Sequence, residues 1–436
     1  MKKIPRRHAS VILRSIGAGV VPTIGLEYIA VGRKAEMEAI LGDLLDIEAG
    51  GGAFRFIVGR YGSGKSFMLQ LTRNSAMARG FLVANADLSP ERRLTGAKGQ
   101  GLALYRELMA NLSSKAHQEG NALESVLQRW IKTVQSEVEA AGCGTDDPAF
   151  PDEVRKGILQ TANDMQEYIY GYDFAHVLLK YWDGYRTEQD ELRQSALRWL
   201  RGEYVKKTDA RALGVSQIIT DETWYEAVKL LARLSKKLGY AGLIILIDES
   251  VNLSRISNRI ARENNYEKLL TMFNDVMQGR TQNLGFFIGG TPEFVENDRR
   301  GLYSYEALRS RLRPSRLAKD GVVDFSGPII RLETLNNEEL YLLLERLRDV
   351  FCSYHKISSI LTQEQMIAFM GTATGRIGAD ALLTPREISR EFVSLMWMLQ
   401  QNPGMSYEAI DVEQRLQSPK TDPDALDDDK YAIFDL

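Results

Sequence analysis

Gly59-Arg60-Tyr61-Gly62-Ser63-Gly64-Lys65-Ser66 lies between an apolar run, Phe54 to Val58, and a helix-compatible pattern, Phe67 to Ala78. The octet has the form G-x-x-x-x-G-K-[ST]. A strand before it and a helix after it are the setting that a phosphate-binding loop requires. Its glycines let backbone N–H groups turn inward onto phosphate oxygens. The following helix points the positive end of its dipole at the same anion. In that setting Lys65 reaches the β- and γ-phosphates, and the Ser66 hydroxyl can ligand Mg2+. The nucleotide cradle is therefore expected along Gly59, Arg60, Tyr61, Gly62, Ser63, Gly64, Lys65, Ser66 and Phe67, within an α/β fold.

Further along, Leu243 to Ile247 is continuously aliphatic and ends in Asp248 and Glu249. Such a run suits a central parallel strand buried on both faces. Two carboxylates at its end form the Walker B arrangement. Asp248 is expected to hold Mg2+ through water, facing Ser66, and Glu249 to polarise the attacking water. Another apolar run, Leu284 to Gly290, ends at Thr291. In an α/β sheet that tip lies beside the Walker B tip, so the Thr291 hydroxyl can sense the γ-phosphate.

Several arginines and one turn complete the candidate site. Arg309, Arg311 and Arg313 alternate along Tyr305 to Pro314. They suit either an arginine reaching a neighbouring subunit's phosphates or the basic end of a surface helix. Thr384 and Pro385 read as N-cap and first helical residue, which places Arg386 in an exposed first turn within reach of phosphates. Val31 and Gly32, in a turn ahead of the P-loop, are expected either against the nucleotide base or in plain N-terminal packing.

The 436 residues suffice for two or three domains. At 44% hydrophobic and 26% charged, the composition is that of a soluble globular protein. A net charge of −3 excludes a global basic field for nucleic acid but leaves room for a local basic face. Cys143 and Cys352 match neither metal-ligand spacing nor a disulfide framework, which fits a cytoplasmic protein. The basic start lacks the apolar core of a signal peptide, and no apolar stretch reaches membrane-spanning length, so no membrane partner is expected.

Five segments follow from the pattern. Residues 1–112 hold an N-terminal segment and the first part of the P-loop core. Residues 113–220 contain no strand pattern and read as a helical insertion, with helices near Leu123–Ala141, Asp152–Tyr168, Phe174–Tyr181 and Glu188–Leu200. Its aromatics (Trp130, Tyr168, Tyr170, Tyr172, Tyr181, Trp182, Tyr185, Trp199) are expected in helix packing rather than as a base-stacking platform. Residues 221–327 complete the core, 328–417 form a helical lid, and 418–436 an acidic tail. Two polar stretches stay open. Leu88 to Gly101, with Arg92, Arg93 and Lys98, is either a substrate-facing loop or a solvated connection. Arg255, Arg259 and Arg262 form either a basic stripe or a solvated face paired with Glu263 and Glu267.

These motifs together resemble AAA+ ATPases of the origin-recognition/STAND-like branch. The resemblance implies a three-layer P-loop core with a parallel sheet, a large helical insertion and a C-terminal helical lid. In it Lys65 and Ser66 would be Walker A, Asp248 and Glu249 Walker B, and Thr291 sensor 1. Arg309 or Arg311 would be the arginine finger and Arg386 sensor 2. Gly25 to Arg33, Val58 to Ser66, Asp248-Glu249, Phe287 to Pro292 and the insertion also resemble the P-loop proteins of bacteriophage-exclusion (BREX) loci. That likeness implies ATP and Mg2+ as cofactors and an ATP-hydrolysing subunit of anti-phage defence. Its ATP state would drive assembly or remodelling on double-stranded DNA. A homo-oligomer is implied, working beside a helicase, methyltransferase or nuclease. The alternatives are a nucleotide-gated switch without turnover and a DNA translocase.

Overall fold

The computed structural model describes residues 4–163, 170–314, 324–374 and 384–410. The expected acidic tail and Tyr168 lie outside the described residues. The chain runs α1 (Arg6–Gly17), α2 (Lys34–Glu48), β1 (Gly52–Val58), α3 (Lys65–Ala78), β2 (Leu82–Asp87) and α4 (Gln100–Ala110). The insertion follows as α5 (Leu123–Ala140), α6 (Phe150–Asn163), α7 (Gly171–Arg186) and α8 (Asp190–Leu200). Next come α9 (Trp224–Lys237), β3 (Leu243–Asp248), α10 (Val251–Ser254), α11 (Arg259–Met277) and β4 (Leu284–Gly290). Short helices α12 (Pro292–Glu296) and α13 (Glu306–Leu312) precede β5 (Ile329–Arg331). The last described helices are α14 (Asn337–His355), α15 (Gln363–Thr374) and α16 (Pro385–Gln401). Two compact units result: residues 33–334, and residues 1–32 together with 335–436.

In the α/β unit five strands form one parallel sheet in the order β2-β3-β4-β1-β5. Alternate side chains of each strand enter two different cores. Ile57, Ile244, Leu246 and Phe287 pack with Ile40, Leu44 and Ile47 of α2 and with Met68 and Leu69 of α3. Phe54, Phe56, Ile245, Ile247 and Phe286 face the other way, onto residues of α4, α9 and α11. This is the three-layer α/β architecture expected from the P-loop, and every residue of β4 is buried. Gly285 is required within it, because a Cβ there would lie 2.6 Å from Ile47 of α2. Arg55 is the polar exception on β1. It grips Asp43 of α2 through two 2.7 Å bonds and also donates to the carbonyls of Phe325 and Gly327.

The insertion helices fall close to their expected places, and their core is continuous with that of the second sheet face. Trp130, Tyr170, Tyr181, Trp182 and Trp199 are buried in it, as packing side chains should be. Tyr172 departs from the pattern at 73% exposed. Three buried polar side chains find local partners. Trp199 Nε1 donates to the Gln217 carbonyl at 2.9 Å, and Tyr170 donates to the Ile218 carbonyl at 3.0 Å. The buried Asp173 carboxylate accepts from Ser216 N at 2.8 Å, Ser216 Oγ at 2.9 Å and Gln217 N at 3.0 Å.

Both polar stretches left open by the sequence are tied into the structure. The β2–α4 loop is anchored by Asp221, which accepts from Gly96 N at 2.9 Å and Gly101 N at 2.5 Å. Asn265 also donates to the Thr95 carbonyl at 3.1 Å, so the loop is not a loose solvated connection. In the arginine series, Arg259 pairs with Glu263 at 2.8 Å on the surface. Arg262 is buried and donates to the Ile256 carbonyl at 2.8 Å, so it joins neither a basic stripe nor a solvated face. A sequence period cannot reveal this, because the acceptor sits in the irregular turn before α11.

In the helical unit, α1 packs with α14 and α16, burying Ala9, Ile12 and Leu13. Two capping boxes start its helices, Asn336 with Glu339 and Thr384 with Glu387. Each satisfies orphan N–H groups at a helix start. Among the described residues, no helix is long and apolar enough to cross a membrane.

Candidate functional site

Strand β1 ends at Val58 and delivers the P-loop to the C-terminal edge of the sheet. Gly59 N donates to the Gly290 carbonyl at 3.1 Å, which ties the loop to the tip of β4. A Cβ at Gly59 would collide with the Ser63 hydroxyl and press on Leu332 at 3.2 Å, so only glycine fits. Gly62 and Gly64 take φ values of +77° and +95°, which glycine adopts without strain. Lys65 opens α3 and donates from Nζ to the Arg60 carbonyl at 2.9 Å. The Ser63 hydroxyl is buried with no hydrogen-bond partner among the described residues. Such an orphan at a loop of inward N–H groups suits an incoming acceptor or donor. Tyr61 is 73% exposed, and Phe67 is half-buried in the first turn of α3.

The carboxylate expected opposite Ser66 is there. Ser66 Oγ donates to Asp248 Oδ2 at 2.6 Å, across 182 positions of sequence. Asp248 Oδ1 accepts from Glu249 N at 2.8 Å. Gly289 allows this approach, since a Cβ there would lie 2.5 Å from Asp248 Oδ1. Glu249 itself has φ +54°, the left-handed region that non-glycine residues rarely adopt. Strain of this kind concentrates where function demands a particular side-chain direction. Thr291 follows β4, whose Gly290 is in register with Val58. Its hydroxyl oxygen accepts from Phe294 N at 3.2 Å, capping α12 and leaving the hydroxyl proton able to donate.

Two contributors escaped the sequence reading. Asp87 ends β2 directly opposite Asp248 in the parallel register. Partial desolvation at the exposed strand tip, and then the charges of Asp248 and Glu249, hold its carboxyl above the ordinary carboxylate value. The signal was available: like Asp248, Asp87 is an acid at the end of an apolar run. Arg33 is the second. It is buried and donates from Nη2 to the Ser63 carbonyl at 3.1 Å and to the Glu333 carbonyl at 2.6 Å. One guanidinium thereby joins the P-loop to the exit of β5. Backbone acceptors so far apart in sequence leave no mark on it.

Arg309 pairs with Asp298, and with Glu306 at 3.7 Å. Arg311 donates to Asn274 Oδ1 at 3.0 Å and to the Ala307 carbonyl at 2.7 Å. Both arginines are thus engaged within their own chain. Val31, Gly32 and Arg386 belong to the helical unit. There a Cβ on Gly32 would collide with the Glu339 carboxylate, and Arg386 sits in the first turn of α16.

The donor set suits Mg2+, which ordinarily takes one or two protein oxygens and completes its shell with phosphate and water. Ser66 and Asp248 supply such a pair. Among the described residues no group of three or more His, Cys, Asp or Glu side chains is arranged to hold a metal by itself. A family model described as BREX system ATP-binding protein BrxC/D matches residues 4–414. The chain belongs to this family. The BrxC/D match spans both units, and it makes the chain an ATP-binding protein of BREX defence. No curated protein matches the chain.

Proposed function

We propose that this BREX-family ATP-binding protein hydrolyses ATP to ADP and phosphate and couples its nucleotide state to assembly on DNA with other defence components. The observation that carries the reading is the 2.6 Å link from Ser66 to Asp248, with Glu249 beside it in a strained backbone conformation. Glu249 orients water for in-line attack on the γ-phosphate and accepts its proton. Lys65 exchanges the Arg60 carbonyl for phosphate oxygens and takes up charge developing in the transition state. The Thr291 hydroxyl donates toward the γ-phosphate while its oxygen keeps the cap of α12. Ser66 and Asp248 would hold Mg2+, which would supply positive charge against the phosphates.

A switch with little turnover is the second reading, favoured by the in-chain partners of Arg309 and Arg311. An arginine that completes a neighbour's site must first leave those partners, so turnover would await assembly. The test is phosphate release across protein concentration, with and without double-stranded DNA. A rate per subunit that climbs with concentration is expected. Tight ATP binding with no release under any of these conditions overturns hydrolysis and leaves the switch.

A further inference from the structure

Strand β3 lies between β2 and β4, and the chain that leaves its tip is fastened to both neighbours. Next to Glu249, the fully buried Ser250 donates from Oγ to the Gly289 carbonyl of β4 at 2.6 Å. A Cβ at Gly290 would lie 2.9 Å from that hydroxyl, so the glycine pair at the end of β4 makes room for it. On the other side Asn252, in α10, donates from Nδ2 to the Leu88 carbonyl at 2.8 Å and to the Glu249 carbonyl at 3.2 Å. Its backbone N–H donates to the same Glu249 carbonyl at 3.1 Å. Leu88 N in turn donates to the Asp248 carbonyl at 3.0 Å. The exit of β2 is thereby stitched to both Asp248 and Glu249.

A glutamate at φ +54° persists only where its surroundings over-determine the backbone. Here both peptide planes that flank its Cα are pinned. The plane before it is held by the bond from Glu249 N to Asp248 Oδ1 at 2.8 Å, and the plane after it by Asn252. Peptide planes are rigid, so two pinned planes fix the direction in which the side chain leaves. Of the two anchors, Ser250 and Asn252, Asn252 is the one bonded to Glu249 itself. Its amide nitrogen carries two donor hydrogens, one for each carbonyl, whereas a carboxylate of the same shape would offer them only acceptors. We propose that Asn252 is a positioning residue for hydrolysis. Its amide holds the Glu249 backbone in the left-handed conformation from which the carboxylate orients water, and it ties that conformation to the exit of β2. Asn252 acts through Glu249 and not on the reacting atoms. This role rests on the hydrolysis reading and adds to it a residue outside the Walker motifs.

The test is ATP turnover by the full chain, with ATP affinity measured separately by equilibrium dialysis. Asn252→Ala should lower kcat by about 10–100-fold while KM and ATP affinity stay near wild type. Asn252→Asp keeps the shape and loses the donors, so it should lose as much. Thermal melting checks that both variants are folded, and Asn252→Asp carries the test where Asn252→Ala does not fold. In a Glu249→Gln background, Asn252→Ala should change the residual single-turnover rate by less than about twofold, because its effect passes through the missing carboxylate. Wild-type kcat in both Asn252 variants overturns the role of Asn252 and leaves hydrolysis standing. A kcat that falls together with ATP affinity, or a loss undiminished in the Glu249→Gln background, makes Asn252 a structural residue and overturns it too. Tight ATP binding by wild type with no turnover overturns the hydrolysis reading, and the role of Asn252 with it.

Discussion

The C-terminal edge of the sheet and the helical insertion use polar groups in opposite ways. In the insertion, Asp173, Tyr170 and Trp199 are each matched to acceptors or donors on the neighbouring chain 213–220. At the sheet edge the Ser63 hydroxyl has no partner among the described residues, Glu249 holds φ +54°, and Asp87 faces Asp248 as a like charge. These three groups of the insertion are satisfied within the protein, which favours the fold. The sheet edge keeps its own unsatisfied, strained or repelling, which favours an anionic ligand and a cation over an empty site.

The sharpest way to break this contrast is Glu249→Gln. Turnover should fall by about 10^2–10^4-fold while ATP binding, measured by equilibrium dialysis, stays near wild type. Wild-type hydrolysis in that variant would remove Glu249 from the chemistry. On the other side, Asp173→Ala leaves three donors without their carboxylate and should cost about 3 kcal/mol in urea unfolding. ATP affinity of the folded fraction should not change; a loss there would mean the insertion shapes the site. Thr291 sits on both sides of the divide. Thr291→Val should lose the α12 cap, about 1 kcal/mol, together with turnover, whereas Thr291→Ser should keep both.

The smallest effect concerns Asp87, whose native carboxyl lies above its ordinary value. A raised acid favours the folded state while protonated, and that contribution fades as pH climbs through the native value. At low pH, with Asp87 protonated in both states, Asp87→Asn should melt like wild type. At pH 7.5 wild type must ionise Asp87 beside Asp248, and the variant should melt higher by about 2 °C. A lower melting temperature at pH 7.5 would mean that the Asp87 charge supports the edge.

Short-range patterns determined much of this protein. The octet Gly59–Ser66, the aliphatic run ending in Asp248-Glu249 and the cap at Thr384 are local signals, because each needs only neighbours in sequence to act. The central strand Leu243–Asp248 was legible for the same reason, from its continuous aliphatic run. What only the tertiary structure decided depends on acceptors remote in sequence. The burial of Arg262 arises this way, as do the Arg33 bridge from Ser63 to Glu333 and the in-chain partners of Arg309 and Arg311. The physical reason is that an arginine's long side chain takes its role from whichever carbonyl or carboxylate the folded chain brings within about 3 Å, and sequence spacing does not carry that distance.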